Sequence, residues 1–284
     1  MKAIAIEGFG EPEQLLKRGL PRPEPRDDEL LIHVVAAGVS RLDATVRRGE
    51  ARDSIEVAFP WVPGFEVAGV VEQLGPGCRR FRVGERVWAL LPAGGGYAQF
   101  AVTKERFVAP MPASLLFEEA ATLPLDGFAA WRVLLGDRPV GDASTVVVRG
   151  ASSGAGHLAV QIALATGARV FVDAPDGHRE FVEQLGRVEW LDATDEPAAE
   201  RRIDASASGT CADGWIDLSG GARSEQATGL RSGGPHDAVA RLSAMVEQRR
   251  LRPRLFKILN IGKAVETHHA VESLSTRGKL ALTL

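Results

Sequence analysis

Along the first hundred residues, apolar positions come in short runs broken by glycine and proline. Met1-Lys2-Ala3-Ile4-Ala5-Ile6-Glu7 alternates like a strand with one solvated face. Similar runs follow at Leu30–Ala37, Val67–Leu74, Arg86–Leu91 and Tyr97–Val102, with Gly75-Pro76-Gly77, Val83-Gly84-Glu85 and Gly94-Gly95-Gly96 between them. Short, regularly spaced strands with this punctuation predict a compact all-β or partly open barrel domain. From about Ser114 the period lengthens. Residues 115–121 and 127–135 carry helical patterns, which places a change of domain near residues 110–125.

The clearest pattern lies further on. Thr145-Val146-Val147-Val148-Arg149 is a β-branched run short enough for a fully buried strand, and it stops at Gly150-Ala151-Ser152-Ser153-Gly154-Ala155-Gly156. Good helix formers occupy 157–166 and end at Gly167; a second apolar run, 168–172, closes on Asp173. Strand, small-residue turn, helix and strand within about 30 residues match a dinucleotide-binding unit. In such a unit the turn's N–H groups and the helix N-terminus hold a pyrophosphate. Asp173, about 20 residues past the turn, falls where a ribose contact is expected. Against a strict G-x-G-x-x-G only Gly156 is in register, with Ala151 and Ser153 at the other two positions. A plain βα turn of any parallel sheet therefore stays open at this point.

Composition narrows the field. The chain has 284 residues, 45% apolar and 25% charged, enough for one large domain or two ordinary ones with a full core. A formal charge of −3 gives no electrostatic footprint for nucleic acid or an anionic membrane. Cys78 and Cys211 are too few for a disulfide framework, which points to a reducing compartment. No apolar block resembles a signal peptide, and no run nears the roughly 18 residues of a membrane helix. The expectation is a soluble, cytoplasmic protein with no nucleic-acid or membrane partner.

Several short segments, in order and spacing, together resemble the medium-chain dehydrogenase/reductase superfamily, in its zinc-independent quinone oxidoreductase (zeta-crystallin-like) branch. They are Ala37-Gly38-Val39-Ser40-Arg41-Leu42-Asp43, Pro63–Val71, Val83–Val87, Glu118–Pro124, Gly150–Gly154 and Gly278–Leu282. The resemblance implies an α/β fold, with an N-terminal GroES-like β-barrel domain and a Rossmann-type doubly wound parallel sheet. The barrel domain would comprise 1–122 and 235–284, and the cofactor domain 123–234. In that branch the turn often reads A-x-x-G-x-x-G, which brings Ala151 and Gly154 into register and favours a nicotinamide site.

The resemblance also suggests roles. Zinc members of the superfamily carry Cys and His where this chain has Ser40 and Phe65; a hydroxyl is a poor ligand and a phenyl ring is none, so no zinc is expected. Glu66 is read as a paired structural carboxylate, and His268-His269 as surface or packing residues. Ser40, Asp43 and Thr45 match positions near the nicotinamide and are the candidate catalytic residues. Ser40 and Thr45 are smaller than the Asn and Tyr many relatives have, and Asp43 also reads as a loop-fixing carboxylate. Thr122, Ala151, Ser152, Ser153, Gly154, Ala155, Gly156, Asp173, Arg179, Ser219 and Gly220 are the candidate cofactor contacts. Tyr97, the only tyrosine, is read as an aromatic at the barrel rim in preference to a proton donor.

Trp215–Gly221 resembles the family's fourth Rossmann strand, and a helix is expected over 224–230. After Gly233-Gly234-Pro235 the chain passes directly to a helix at 236–242. A typical relative would carry roughly 25–40 more residues here, enough for two strands with their loops. The expectation is a sheet shortened by about two outer strands, without the family's usual dimer edge, leaving the oligomeric state open. The function implied is an NAD(P)H-dependent oxidoreductase passing hydride to a quinone or α,β-unsaturated carbonyl. NADPH is the expected cofactor, with NADH possible because Asp173 would repel a 2′-phosphate. The alternative is a nicotinamide-nucleotide-binding protein with little or no catalysis, a sensor or degenerate paralogue.

Overall fold

The computed structural model describes residues 1–136, 138–192, 197–206, 216–217, 237–273 and 275–284. Two β-sheets dominate them. In the first, β3 (Glu29–Val39), β4 (Glu66–Leu74), β5 (Arg86–Leu90) and β7 (Val108–Pro110) pair in succession, antiparallel. β3 is long enough to take two partners along its other edge: β6 (Phe100–Lys104) on residues 29–33 and β14 (Lys279–Thr283) on residues 36–39. β13 (Leu255–Asn260) runs parallel to β14 and completes this seven-stranded sheet. The hairpin β1 (Lys2–Ala5) and β2 (Leu16–Gly19) joins through bridges Ala3–Ala98 and Ile6–Trp61.

The second sheet is parallel. Its order is β10 (Glu189–Trp190), β9 (Arg169–Val172), β8 (Thr145–Arg149), β11 (Arg201–Asp204), β12 (Ile216–Asp217). The crossover from β8 to β9 is α4 (Gly154–Ala165), whose Leu158, Ala159 and Ile162 are buried. These strands fill five positions of the six-stranded 3-2-1-4-5-6 order of a Rossmann sheet. α2 (Phe117–Ala120) and α3 (Pro124–Leu135) link the sheets, and one apolar cluster runs from Val67 and Trp88 through Phe128 and Trp131 to Val146 and Ile162. After α5 (Arg179–Glu183) and β12, α6 (Asp237–Glu247) leads back to β13, α7 (Ala264–Glu272) and β14 in the barrel sheet.

The expected α/β architecture, with its antiparallel N-terminal domain and Rossmann-type sheet, is what forms. Two details differ. The run at 97–102 begins pairing as β6 only at Phe100, because the chain crosses over at Gly94 and Gly95, both with positive φ, and Tyr97 N–H first donates to Pro63 O. The strand expected as fourth is fifth in order. Arg201-Arg202-Ile203-Asp204 supplies the fourth, with Ile203 and Asp204 buried while the Arg201 guanidinium reaches out to Val133 O. Two arginines at its start hide that strand from an apolar count. The helix expected at 224–230 and the Gly233-Gly234-Pro235 turn lie outside the described residues.

Candidate functional site

The turn after β8 is built by three contacts. Gly150 takes a positive φ of 68°, and its N–H donates to Asp173 Oδ1 at 2.9 Å, while Ala151 N–H donates to Asp173 O at 2.9 Å. Ser153 caps α4: its Oγ accepts from Gly156 N–H at 3.0 Å, the arrangement that favours Ser at a helix start. A Cβ on Gly156 would lie 2.1 Å from Gly150 O, so only glycine lets the helix start this close to the strand end. Ser152 Oγ bonds His178 Nδ1 at 2.8 Å. Among the described residues nothing accepts from the N–H groups of Ser152, Gly154 and Ala155. Open donors at a helix N-terminus, flanked by an acidic residue just past the next strand, fit a dinucleotide pyrophosphate and its ribose.

Below the turn, His157 is fully buried and its tautomer is fixed by its surroundings. Arg254 N–H donates to Nε2 at 3.2 Å, so Nδ1 carries the proton and donates to Ser153 O at 3.0 Å. Burial holds this imidazole down to about 4, hence neutral. Asp173 stands at the turn, with one carboxylate oxygen engaged by Gly150. Arg179 does not: its guanidinium lies 4.3 Å over the Trp190 ring and pairs with Glu183 at 3.0 Å. His178, next to it, is the basic residue that contacts the turn. Ser219 and Gly220 lie outside the described residues.

The barrel contributes α1 (Arg41–Arg48), which opens with a capping box. Ser40 N–H and Oγ–H both donate to Asp43 Oδ2, at 2.8 and 2.7 Å, and Asp43 Oδ1 accepts from Gly64 N–H at 2.8 Å. Asp43 is fully buried; burial pushes its carboxyl up, against these donors, which favour the charged form. The pair thus ties the start of α1 to the Pro63–Gly64 loop, and the Ser40 hydroxyl proton already has an acceptor. Thr45 is buried one turn on. Thr122, also buried, donates from Oγ1 to Glu119 O at 2.9 Å and closes α2. Phe65 is buried with its ring 5.9 Å from that of Trp61. Ser40 and Phe65, where zinc relatives carry ligands, thus present a committed hydroxyl and a packed ring. No group of three His, Cys, Asp or Glu that could hold a metal occurs among the described residues.

One cluster went unread in the sequence. Lys279 of β14 donates to Glu66 Oε1 of β4 at 2.7 Å and to Asp126 Oδ2 of α3 at 2.6 Å, and Glu66 Oε2 accepts from Leu125 N–H at 2.9 Å. Glu66 is thus a paired structural carboxylate, as expected, and its partner is Lys279. Burial raises Glu66, Lys279 opposes and Asp126 adds to the rise, which brings it up to about 7. Burial works against the Lys279 charge, but Asp126 and Glu66 outweigh it and hold the ammonium well above its ordinary value. The cluster adjoins the turn, since Gly278 N–H donates to Ser152 O at 2.8 Å. The lone tyrosine is similarly committed: Tyr97 is fully buried, with its OH 3.3 Å from His268 Nε2. Burial drives the Tyr97 phenol well above its usual range and pushes His268 down to about 3.

An antiparallel barrel sheet and a Rossmann-type parallel sheet, linked through α2 and α3, make up the fold, with the small-residue turn at the start of α4. Residues 26–113 match the alcohol dehydrogenase GroES-like domain. Quinone oxidoreductase of Rattus norvegicus is 37% identical over 214 residues, covering 72% of this chain and 64% of that protein. An alcohol dehydrogenase superfamily protein from Novosphingobium aromaticivorans is 29% identical, with a TM-score of 0.84 over 100% of this chain and 99% of its own. A mycobacterial protein solved in complex with NADPH shares the fold, at 23% identity and a TM-score of 0.85, with 100% of both chains covered. The chain has the fold of the medium-chain dehydrogenase/reductase superfamily and is similar in sequence to its quinone oxidoreductase branch. Its match spans just under two thirds of the rat protein's length.

Proposed function

We propose that this chain is an NAD(P)H-dependent, zinc-independent oxidoreductase that reduces a quinone or an α,β-unsaturated carbonyl. The observation that carries the reading is the turn at 150–156. Its glycine-enforced approach of helix to strand, N–H groups without a partner among the described residues and Asp173 at the next strand end form a dinucleotide cradle. The nicotinamide, when bound, supplies the hydride. This chain's residues do the rest. Ser152, Gly154 and Ala155 orient the pyrophosphate through their N–H groups. Asp173 and His178 flank the adenosine ribose, with Arg179 held on Trp190 nearby, and Ser219 and Gly220 belong to the same reading as further cofactor contacts. Thr122 shapes the seam, and the Ser40–Asp43 box with Thr45 sets the barrel wall facing the nicotinamide.

The product anion of a reduced quinone or enone is resonance-stabilised, so water can deliver the closing proton and no strong general acid is required. NADPH is the preferred cofactor in this reading and NADH is accepted. The alternative, a nucleotide-binding protein with little turnover, draws support from the Ser40 hydroxyl, which already donates to Asp43. Titration of NADPH and NADH against tryptophan fluorescence, followed by turnover with a small quinone, tests both. Saturable binding with quinone-dependent oxidation supports the oxidoreductase, binding without turnover selects the alternative, and no binding of either nucleotide overturns both.

A further inference from the structure

Lys279 and the two carboxylates it bridges sit against the turn. A methyl group on Gly154, the first residue of α4, would lie 2.8 Å from Lys279 Cδ and 3.1 Å from Asp126 Oδ2. The side chains of Glu66 and Lys279 are 0% and 1% exposed, and that of Asp126 is 17% exposed. Two carboxylates and one ammonium leave an excess negative charge sealed beside the N–H groups that would meet a pyrophosphate. From this geometry we propose that occupation of the turn by a dinucleotide draws a proton onto Glu66, so that this cluster ties cofactor affinity to pH. The inference rests on the nicotinamide reading above and adds how that same site is regulated.

A pyrophosphate at the α4 N-terminus adds negative charge to a low-dielectric pocket where two carboxylates already compete for one lysine. Protonating one of them relieves the repulsion. Glu66 takes the proton because it has no solvent to fall back on, whereas Asp126 keeps a partly wet edge. β14 presents Lys279 and α3 presents Asp126; Asp43 of α1 and the Tyr97 phenol lie beyond, and His157 of α4 stays neutral. The adjoining strands offer Gly38 and Leu90, which carry no charge.

The sign follows from which state holds the proton more tightly. In the free protein Glu66 titrates at about 7, and bound nucleotide raises it further. Binding then takes up a proton above pH 7, and affinity falls with rising pH by up to about tenfold per unit while the uptake lasts. The 2′-phosphate of NADPH titrates near pH 6 and stays out of this window, as estimated from other phosphate monoesters.

The test is calorimetric titration of NADPH into the full chain near pH 8, in buffers of different ionisation enthalpy, which counts protons directly. Wild type should take up a substantial fraction of one proton per chain. Glu66→Gln should take up none and lose the pH dependence of affinity. Asp126→Asn leaves Glu66 and Lys279 as a balanced pair and should also abolish most of the uptake, which keeps the test open if the glutamine variant does not fold. Tight NADPH binding with no proton uptake, or uptake unchanged in either folded variant, overturns the inference and leaves the proposed function standing. Absence of any NADPH or NADH binding overturns the nicotinamide reading and this inference with it.

Discussion

In the barrel, buried polar side chains bond one another: Ser40 to Asp43, Tyr97 to His268, Glu66 to Lys279. At the turn between β8 and α4 the bonds run largely through the backbone, and N–H groups at the helix start have no protein acceptor among the described residues. The barrel's buried polar side chains are therefore largely committed to one another, whereas open main-chain donors gather at the turn among the described residues. A side chain can be the right type at a family position and still be committed to the fold, as Ser40 is. A glycine with no chemistry of its own can be indispensable because of what it lets approach.

The largest expected effect tests the barrel side. Lys279→Met strands two carboxylates and should destabilise the protein by about 3–5 kcal/mol, read by urea unfolding. A loss under 1 kcal/mol would show that the cluster relaxes freely. On the other side, Gly156→Val forces a side chain into Gly150 O; about 1–3 kcal/mol of stability should go, together with most NADPH affinity by fluorescence titration. Normal binding would mean that the turn is not the cradle.

Ser40→Ala separates architecture from chemistry. As a cap it should cost about 1 kcal/mol in thermal melts, with quinone turnover reduced less than about tenfold. A loss of 10²-fold or more, the scale of a lost general acid, would restore Ser40 as a proton donor. Acid is a milder probe. His157 and His268 are held near 4 and 3 in the fold against roughly 6.5 unfolded, so the unfolded chain binds more protons between those values. Stability should be fully present above pH 7 and fall by a few degrees in Tm on going to about pH 5, with His157→Gln flattening part of the slope. The smallest effect is Asp173→Ser, which should shift the NADPH:NADH affinity ratio a few-fold toward NADPH; an unchanged ratio would remove Asp173 from the ribose.

How far the sequence reveals this depends on the range of the interactions. Strand 145–149 is legible to the residue because its three valines need no context. The small-residue turn and Asp173 are legible because their spacing is local. Lys279 was visible only as part of a terminal motif, since its partners lie on β4 and α3, far away in sequence. Arg201–Asp204 has no strand signature of its own, because its burial comes from β8 and β12 on either side and not from its composition. Arg179 and His178 look interchangeable in the sequence; only the Trp190 ring decides which of them faces away.

The insertion of β14 beside β3 also bears on how the molecule is made. Residues 36–39 find their partners at 280–283, almost the whole length of the chain later. A nascent chain emerging from the ribosome therefore carries β3 with part of one edge bare until residues 280–283 appear, while β8, α4 and β9, close neighbours in sequence, can assemble as soon as they appear. The middle of the protein is positioned to fold before its beginning is finished. A bare strand edge invites pairing with other chains, so removing residues 280–284 should turn a late folding step into aggregation.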